Sequence, residues 1–353
     1  MLIRRVSLGL YMITVFYLFN SYGVVGASLE IYFKNISCLT SKYDIVKAGR
    51  YLMKYNISKE FGILRHLATT LNPFVLRFAK VFMSLLPKGM RSNKSLVIST
   101  EKIKTRDDGN ITIHCIKPRN AEGKMPTIFF FHGGGFCFKG APYHYKYAKL
   151  YAERLSCQVI FIDYRLAYNT PFDTSLNDCI DCYKYILERK EEYSVDTDRI
   201  AFVGDSAGGY LSLTACIKAQ KLGLTKPKCQ VLIYPVVDSL CSTESMKKYI
   251  DTPCWNAKLN RKMWEIYSKG ESLPSLLEYG DASHFCTTYV ETAEFDCLKD
   301  EGALIFDKIS KKYKGSVLVE TTRTMHGFDG IFSSSTTQSC IESRINFLAS
   351  NLK

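Results

Sequence analysis

Apolar positions along this chain follow two rhythms. From residue 127 onward, short apolar runs alternate with longer stretches in which apolar residues recur every three or four positions. The runs at 127–131, 158–162, 200–203 and 230–234 are rich in β-branched and aromatic side chains. Continuous rather than alternating hydrophobicity predicts strands covered on both faces. Residues 288–291 and 317–320 predict two more strands. Between the runs, Tyr147, Tyr151 and Leu155, then Leu176, Ile180, Tyr183 and Leu187, fall at helical spacing. Upstream, residues 96–104 and 111–117 predict strands joined by a turn at Asp107-Asp108-Gly109. Strand alternating with helix implies right-handed crossovers and an α/β fold: a mostly parallel central sheet with helices on both faces.

Two regions depart from this rhythm. Residues 40–90 are rich in helix formers and aromatics, punctuated by Pro73 and Pro87, and predict two or three short helices. From about 238 to 280 the alternation lapses into a helical, basic segment carrying Trp255 and Trp264, which reads as an insertion above the sheet. The expected organisation is a leader at 1–27, an N-terminal helical region at 28–95, and a main domain at 96–353 that carries the insertion. In the leader, Arg4 and Arg5 precede a mostly apolar stretch and then Val25-Gly26-Ala27. That order fits a secretory signal, and the stretch is also long enough to anchor in a membrane. The leader points to a secreted or membrane-anchored protein, with a cytoplasmic location as the alternative.

Composition narrows the classes. With 353 residues, 46% hydrophobic and 23% charged, the chain can bury a large core. The net charge of +13 comes from 47 basic and 34 acidic residues, scattered and without a nucleic-acid motif, so a solvated basic surface is the reading rather than nucleic-acid binding. The 13 cysteines show no regular disulfide spacing and an odd count. Several, such as Cys216 and Cys229, sit in apolar elements, and the Cys179-x-x-Cys182 pair lies inside a helical pattern rather than at a redox helix start. Cysteine usage suggests a reducing environment and the leader suggests the opposite. Four Asn-x-Ser/Thr sequons occur, at Asn35, Asn56, Asn93 and Asn110.

The chemistry concentrates in Gly204-Asp205-Ser206-Ala207-Gly208-Gly209, between a predicted strand and a predicted helix. A G-x-S-x-G there is a nucleophile elbow, with glycine on both sides because a Cβ would collide with nearby backbone. Serine is a poor nucleophile at neutral pH and needs a base and an acid to orient that base. Of six histidines, His326 follows the last predicted strand, where reactive groups of a doubly wound sheet lie. His284 precedes its nearest strand and His66 belongs to the N-terminal helices. The acid is expected after the strand at 288–291, where Asp296 sits nearest the strand end. Asp300 and Glu301 fall in the next helix's first turn, and Asp205 reads as a brace for the elbow. His132-Gly133-Gly134-Gly135 follows the strand at 127–131 and can bring backbone N–H groups to a substrate carbonyl, with the Ala207 amide as a further donor. His132 is expected to fix that loop rather than titrate.

Taken together, the chain resembles the hormone-sensitive-lipase-like branch of the α/β-hydrolases, which includes bacterial acetyl esterases and arylacetamide deacetylases. The residues that carry the likeness are His132-Gly133-Gly134-Gly135-Phe136, Asp163-Tyr164-Arg165-Leu166-Ala167, the elbow, Asp296-x-Leu298-x-Asp300-Glu301-Gly302, and His326-Gly327-Phe328, spread over roughly residues 97–350. The resemblance implies a catalytic triad of Ser206, Asp296 and His326. It implies oxyanion donors at Gly134, Gly135 and Ala207, and a helical cap built from the N-terminal region and the late insertion. It further implies a serine carboxylesterase acting on small-molecule esters of short or medium acyl chain, with neither organic cofactor nor metal. Amide deacylation, a membrane-surface lipase and a non-catalytic ligand receptor are the alternatives. Tyr168-Asn169 stands where relatives often have Pro-Glu, in a loop expected to brace the fold.

Overall fold

The computed structural model describes residues 54–72, 76 and 89–353. The leader at 1–27, Asn35 and much of the N-terminal helical region lie outside the described residues. Within it, Lys59–His66 forms a 3-10 helix.

Eight strands form one sheet in the order β1-β2-β4-β3-β5-β6-β7-β8. They are β1 (Leu96–Lys104), β2 (Asn110–Pro118), β3 (Met125–Phe131), β4 (Gln158–Asp163), β5 (Val195–Asp205), β6 (Cys229–Ile233), β7 (Thr287–Phe295) and β8 (Val317–Met325). Strand β2 runs antiparallel to both β1 and β4, and every other pairing is parallel. Burial explains the sequence pattern. Every residue of β6 is buried, as are all but Pro126 in β3 and all but Asp163 in β4. The edge strand β1 alternates far more, with exposed residues on its outer face.

The helices between the strands are α1 (Pro142–Leu155), α2 (Thr174–Glu188), α3 (Ala207–Lys221), α4 (Glu244–Lys248), α5 (Ala257–Ser268), α6 (Lys299–Ser310) and α7 (Ser335–Asn351). From β3 the chain crosses through α1 to β4, stepping toward β2. From β4 onward each crossover steps the other way, toward β8. Right-handed crossovers in opposite directions put α1 on one face and α2, α3 and α6 on the other. Helix α7 returns beside α1, where Arg154 and Glu342 form a two-bond ion pair. The reversal lies between the adjacent strands β3 and β5, so the loops leaving their carboxyl ends diverge and open a crevice. The glycine loop leaves β3 and the elbow leaves β5.

Two strands run longer than their apolar runs predict. Strand β7 reaches Phe295 and β8 reaches Met325, with the pairing register shifted between Ala293 and Phe295. Asp296 and His326 therefore stand directly at strand ends rather than within loops. Polar residues hid the extension: the Thr324 hydroxyl accepts from the Glu294 amide, a side-chain bond inside the ladder that the hydropathy pattern does not encode.

Candidate active site

The elbow begins with steric necessity. A Cβ on Gly204 would lie 2.2 Å from the Gly208 carbonyl oxygen, and one on Gly208 would lie 1.8 Å from the Phe131 carbonyl oxygen. Only hydrogen fits at either position. Between them Ser206 adopts φ 53° and ψ −119°, a conformation that costs an L-residue on the order of 1–3 kcal/mol. Neighbouring strands hold it there. The Ser206 amide donates to the Ile233 carbonyl at 2.8 Å, and its own carbonyl accepts from Val236 N at 3.0 Å. Helix α3 starts at Ala207 and aims its free N-terminal amides at the serine.

The three residues expected from the sequence converge. His326 Nε2 lies 2.9 Å from Ser206 Oγ, and His326 Nδ1 lies 2.7 Å from Asp296 Oδ2. All three side chains are buried, Asp296 completely. Asp296 Oδ1 also accepts from the Leu298 amide at 3.0 Å, which fixes the carboxylate's plane. With a carboxylate facing Nδ1, the proton of a neutral imidazole sits on that nitrogen and Nε2 keeps a lone pair toward the serine hydroxyl. This arrangement can draw the proton from Ser206 while holding the resulting imidazolium.

Across the crevice, Gly134 and Gly135 have φ values of 112° and 58°, a turn that favours glycine. Among the described residues, no carbonyl takes the amides of Gly134, Gly135 or Ala207. They remain free to meet a developing oxyanion. The loop is anchored from behind. The Gly133 amide donates to Asp205 Oδ1 at 2.9 Å, and His144 Nε2 meets Asp205 Oδ2 at 3.0 Å. His144 Nδ1 accepts from the Ala141 amide at 2.8 Å, so the proton of this imidazole lies on Nε2 and points at Asp205. Burial works against the Asp205 carboxylate. The His144 imidazole and the Gly133 amide more than offset it, and the carboxyl is held below its ordinary range. His132 bonds the Gly133 carbonyl through Nδ1 at 2.7 Å and stacks on Tyr164, whose hydroxyl donates to the His132 carbonyl. Complete burial pushes the His132 pKa down to about 4, so it stays neutral as a structural bond donor. Ala167, in the loop with the unusual Tyr168-Asn169, donates its amide to Phe136 O at 2.9 Å, which braces the same turn.

The segment after β6 lies over the crevice. A Cβ on Gly135 would meet Trp255 Cη2 at 2.7 Å, and the Trp255 ring is 6.1 Å from that of His326. Trp255 Nε1 donates to Asn260 on α5, while Tyr267 of α5 stacks on Phe136 at 4.1 Å. Leu64 and Leu67 of the N-terminal segment accept bonds from Cys254 Sγ and Cys254 N. Asp300 and Glu301 do more than complement a helix dipole. Asp300 accepts from the Ser245 amide at 2.7 Å, and Glu301 accepts from Val237 N at 2.7 Å and from Asp238 N. They fasten the start of the inserted segment to α6, at the cost of a fully buried Glu301 carboxyl whose pKa burial raises well above the ordinary range.

Hydropathy and motif spacing did not reveal the His144 brace, the packing of Trp255 on Gly135 or the polar residues behind His326. None of these residues stands in a local pattern that distinguishes it from an ordinary buried residue. Among the described residues no cluster of three or more His, Cys, Asp or Glu side chains is arranged to hold a metal ion. Every described cysteine is a free thiol, all but Cys254 buried, including Cys179 and Cys182 inside α2. Burial pushes both of those thiols well above their ordinary pKa. Among the described residues no helix is long and apolar enough to cross a membrane.

Comparison with known proteins places this geometry. Residues 128–330 match a family model described as alpha/beta hydrolase fold. A putative alpha/beta hydrolase, R526, of Acanthamoeba polyphaga mimivirus is 25% identical over 310 residues, 82% of this chain and 89% of that protein. Hormone-sensitive lipase of Homo sapiens is 34% identical over 119 residues, which are 34% of this chain and 11% of the lipase. The solved structure titled Bacterial Heroin Esterase superposes with a TM-score of 0.76 at 25% identity, covering 84% of this chain and 98% of that one. With the family model spanning more than half its length, the chain belongs to the Abhydrolase_3 family of the alpha/beta hydrolase fold, as a carboxylesterase/lipase-like hydrolase.

Proposed function

We propose that this protein is a serine carboxylesterase in which Ser206, His326 and Asp296 form the catalytic triad. The observation that carries the reading is the unbroken line of hydrogen bonds from Asp296 through His326 to Ser206, 2.7 and 2.9 Å long, at the tip of a strained elbow. Ser206 Oγ attacks the acyl carbon of an ester while His326 Nε2 takes its proton. The oxyanion is met by the amides of Gly134, Gly135 and Ala207, each worth about 3 kcal/mol in the transition state. Collapse expels the alcohol, which leaves with the proton from His326, and the acyl group stays on Ser206. Water then attacks the acyl carbon with His326 as base, the bond from the acyl carbon to Ser206 Oγ breaks as His326 returns the proton to that oxygen, and the acid departs. Asp296 holds the imidazole in one orientation throughout.

The substrates proposed are small-molecule esters of short or medium acyl chain. The indole of Trp255, packed beside Gly135 and 6.1 Å from the His326 ring, supports this by placing a bulky side chain next to the proposed oxyanion amides. The cap is proposed to comprise residues 28–95 and the insertion at about 238–280. The bonds from Cys254 to Leu64 and Leu67 support that reading. Export or membrane anchoring through residues 1–27 is proposed from the sequence alone, and fractionation of tagged full-length protein tests it.

An organophosphonate that reacts with activated serines tests the chemistry. The wild type should be labelled at Ser206, and Ser206→Ala should lose both labelling and at least about 10^4-fold in kcat on p-nitrophenyl esters. Labelling that survives Ser206→Ala excludes this serine as the nucleophile. A series of p-nitrophenyl esters from acetate to palmitate tests the acyl range, and a preference for the longest chains overturns it.

A further inference from the structure

A fully buried ion cluster lies behind the site. The Arg344 guanidinium, on α7, donates from Nε and Nη2 to both oxygens of Glu291, the Nε bond being 2.9 Å, and from Nη1 to Asp329 Oδ2 at 2.9 Å. None of the three side chains is more than 1% exposed. Tyrosines close the remaining positions. Tyr234 OH donates to Asp329 Oδ1, Tyr289 OH to Glu291 Oε2 at 3.0 Å, and Tyr147 OH to the Asp329 carbonyl at 3.0 Å. The guanidinium also lies over the Tyr147 ring, 5.3 Å from its centroid.

Where these residues sit in the chain matters more than how many bonds they make. Glu291 is on β7, five residues before Asp296. Asp329 follows His326 by three residues, in the turn Phe328–Gly330. Tyr234 directly follows Ile233, the residue whose carbonyl holds the Ser206 amide, and the Tyr234 amide donates to the Glu291 carbonyl at 2.6 Å. The Tyr234 ring rests against the imidazole of His326, 4.5 Å between centroids, with the backbone at φ 35°. One guanidinium therefore ties the strand that leads to the acid to the loop that carries the base, and through Asp329 and Tyr234 it reaches the strand end whose carbonyl holds the Ser206 amide.

A buried ion pair is weak evidence for stability, because desolvation of the charges opposes their attraction and an apolar replacement is often as stable. What such a cluster supplies is directional constraint: a planar fork accepts its carboxylates in one geometry only. Turnover depends steeply on such constraint, since a misplacement of about 1 Å can cost 10^2-fold in rate. We infer that Arg344, Asp329 and Tyr234 are positioning residues, which register the His326 loop against β7 and against the strand end beside Ser206 and hold the imidazole at hydrogen-bond distance from both its partners. The inference rests on the triad proposed above.

The test uses the full chain and two mild variants, Tyr234→Phe and Arg344→Lys. The first deletes only the hydroxyl that joins the ring on His326 to Asp329. The second keeps the charge and removes the fork. Active sites are counted by phosphonate titration, and kcat is expressed per titrated site. The expected result is a fall in kcat of about tenfold or more in each, with KM within about twofold of wild type, because registration acts on the reacting geometry rather than on ester binding. A purely structural role moves the thermal midpoint or the number of titratable sites and leaves kcat per site at the wild-type value, which overturns the inference. Should Arg344→Lys fail to fold, Tyr234→Phe together with Asp329→Asn decides it by the same readout. A wild-type protein that takes up no phosphonate at Ser206 overturns the triad and the positioning role together, whereas normal labelling with unchanged kcat in the variants overturns the positioning role alone.

Discussion

Two buried histidine–aspartate pairs flank Ser206, and they differ in what the second ring nitrogen faces. In His326–Asp296 the carboxylate takes Nδ1, and Nε2 looks onto the serine hydroxyl at 2.9 Å. In His144–Asp205 the carboxylate takes Nε2, and Nδ1 is already occupied by the Ala141 amide at 2.8 Å. The residue types are the same and the burial is similar. One imidazole is left with a lone pair aimed at a reactive group, while the other has both nitrogens committed to backbone or carboxylate. The first pair can move a proton during turnover. The second can only hold the glycine loop in place. Activity in this site is thus a matter of which valence is left open.

That contrast can be broken in several ways. Replacing Asp296 with Asn should have the largest effect, lowering kcat about 10^4-fold while the thermal midpoint changes little, because the amide permits the wrong imidazole tautomer. Steady-state kinetics with a parallel melting curve checks this, and near-normal turnover would remove Asp296 from the triad. Gly135→Ala comes next. Its Cβ would meet Trp255 at 2.7 Å in a left-handed backbone, so the donor amide must turn. A loss of about 10^2- to 10^3-fold in kcat is expected, and an unaltered rate means that this amide does not face the oxyanion.

Asp205→Ala should show the reverse balance from Asp296→Asn. It strands the Gly133 amide and the His144 Nε2–H, two buried donors, at a cost of about 3 kcal/mol in folding stability. Turnover per titrated site should fall far less than in Asp296→Asn. Urea unfolding beside phosphonate titration separates the two, and a variant of full stability but no activity would make Asp205 the acid.

The smallest effect concerns pH. His132 has a folded pKa of about 4, below its unfolded value of 6.5. Between those values the unfolded chain takes up a proton that folded His132 refuses, so stability drops as pH falls from 6.5 toward 4. The loss amounts to about 3 kcal/mol over the whole window and is absent above it. His132→Gln should flatten the stability profile between pH 7 and pH 4.5, as read by urea midpoints. Parallel profiles for the two proteins would contradict the assignment.

Much of this architecture is legible in the chain's local chemistry. Continuous apolar runs mark the central strands because parallel strands are covered on both faces. Asp296 and His326 are identifiable because each follows an apolar run and their order along the chain obeys the fold's logic. Less visible are the ends of β7 and β8, where threonine and glutamate side chains carry the strands past their apolar residues to Phe295 and Met325. Hydropathy has no term for a strand completed by hydroxyl-to-backbone bonds. Arg344 is more opaque still. An arginine inside a C-terminal helix reads as a surface residue, and only its full enclosure by Glu291, Asp329 and Tyr147 shows otherwise.

The sequence by itself determined the alternation of strand and helix, the glycines that permit the elbow, and the order of the proposed nucleophile, acid and base. These follow from contacts between residues close along the chain, where sterics and backbone preferences act directly. Tertiary structure alone decided that His144 braces the glycine loop, that Trp255 lies on Gly135, and that Arg344 reaches two carboxylates. His326 and Ser206 are 120 positions apart, and His144 and Asp205 are 61 apart. A hydrogen bond tolerates only a few tenths of an ångström, so which partners meet is set by the packing of the whole sheet and its helices rather than by any stretch that can be read in isolation.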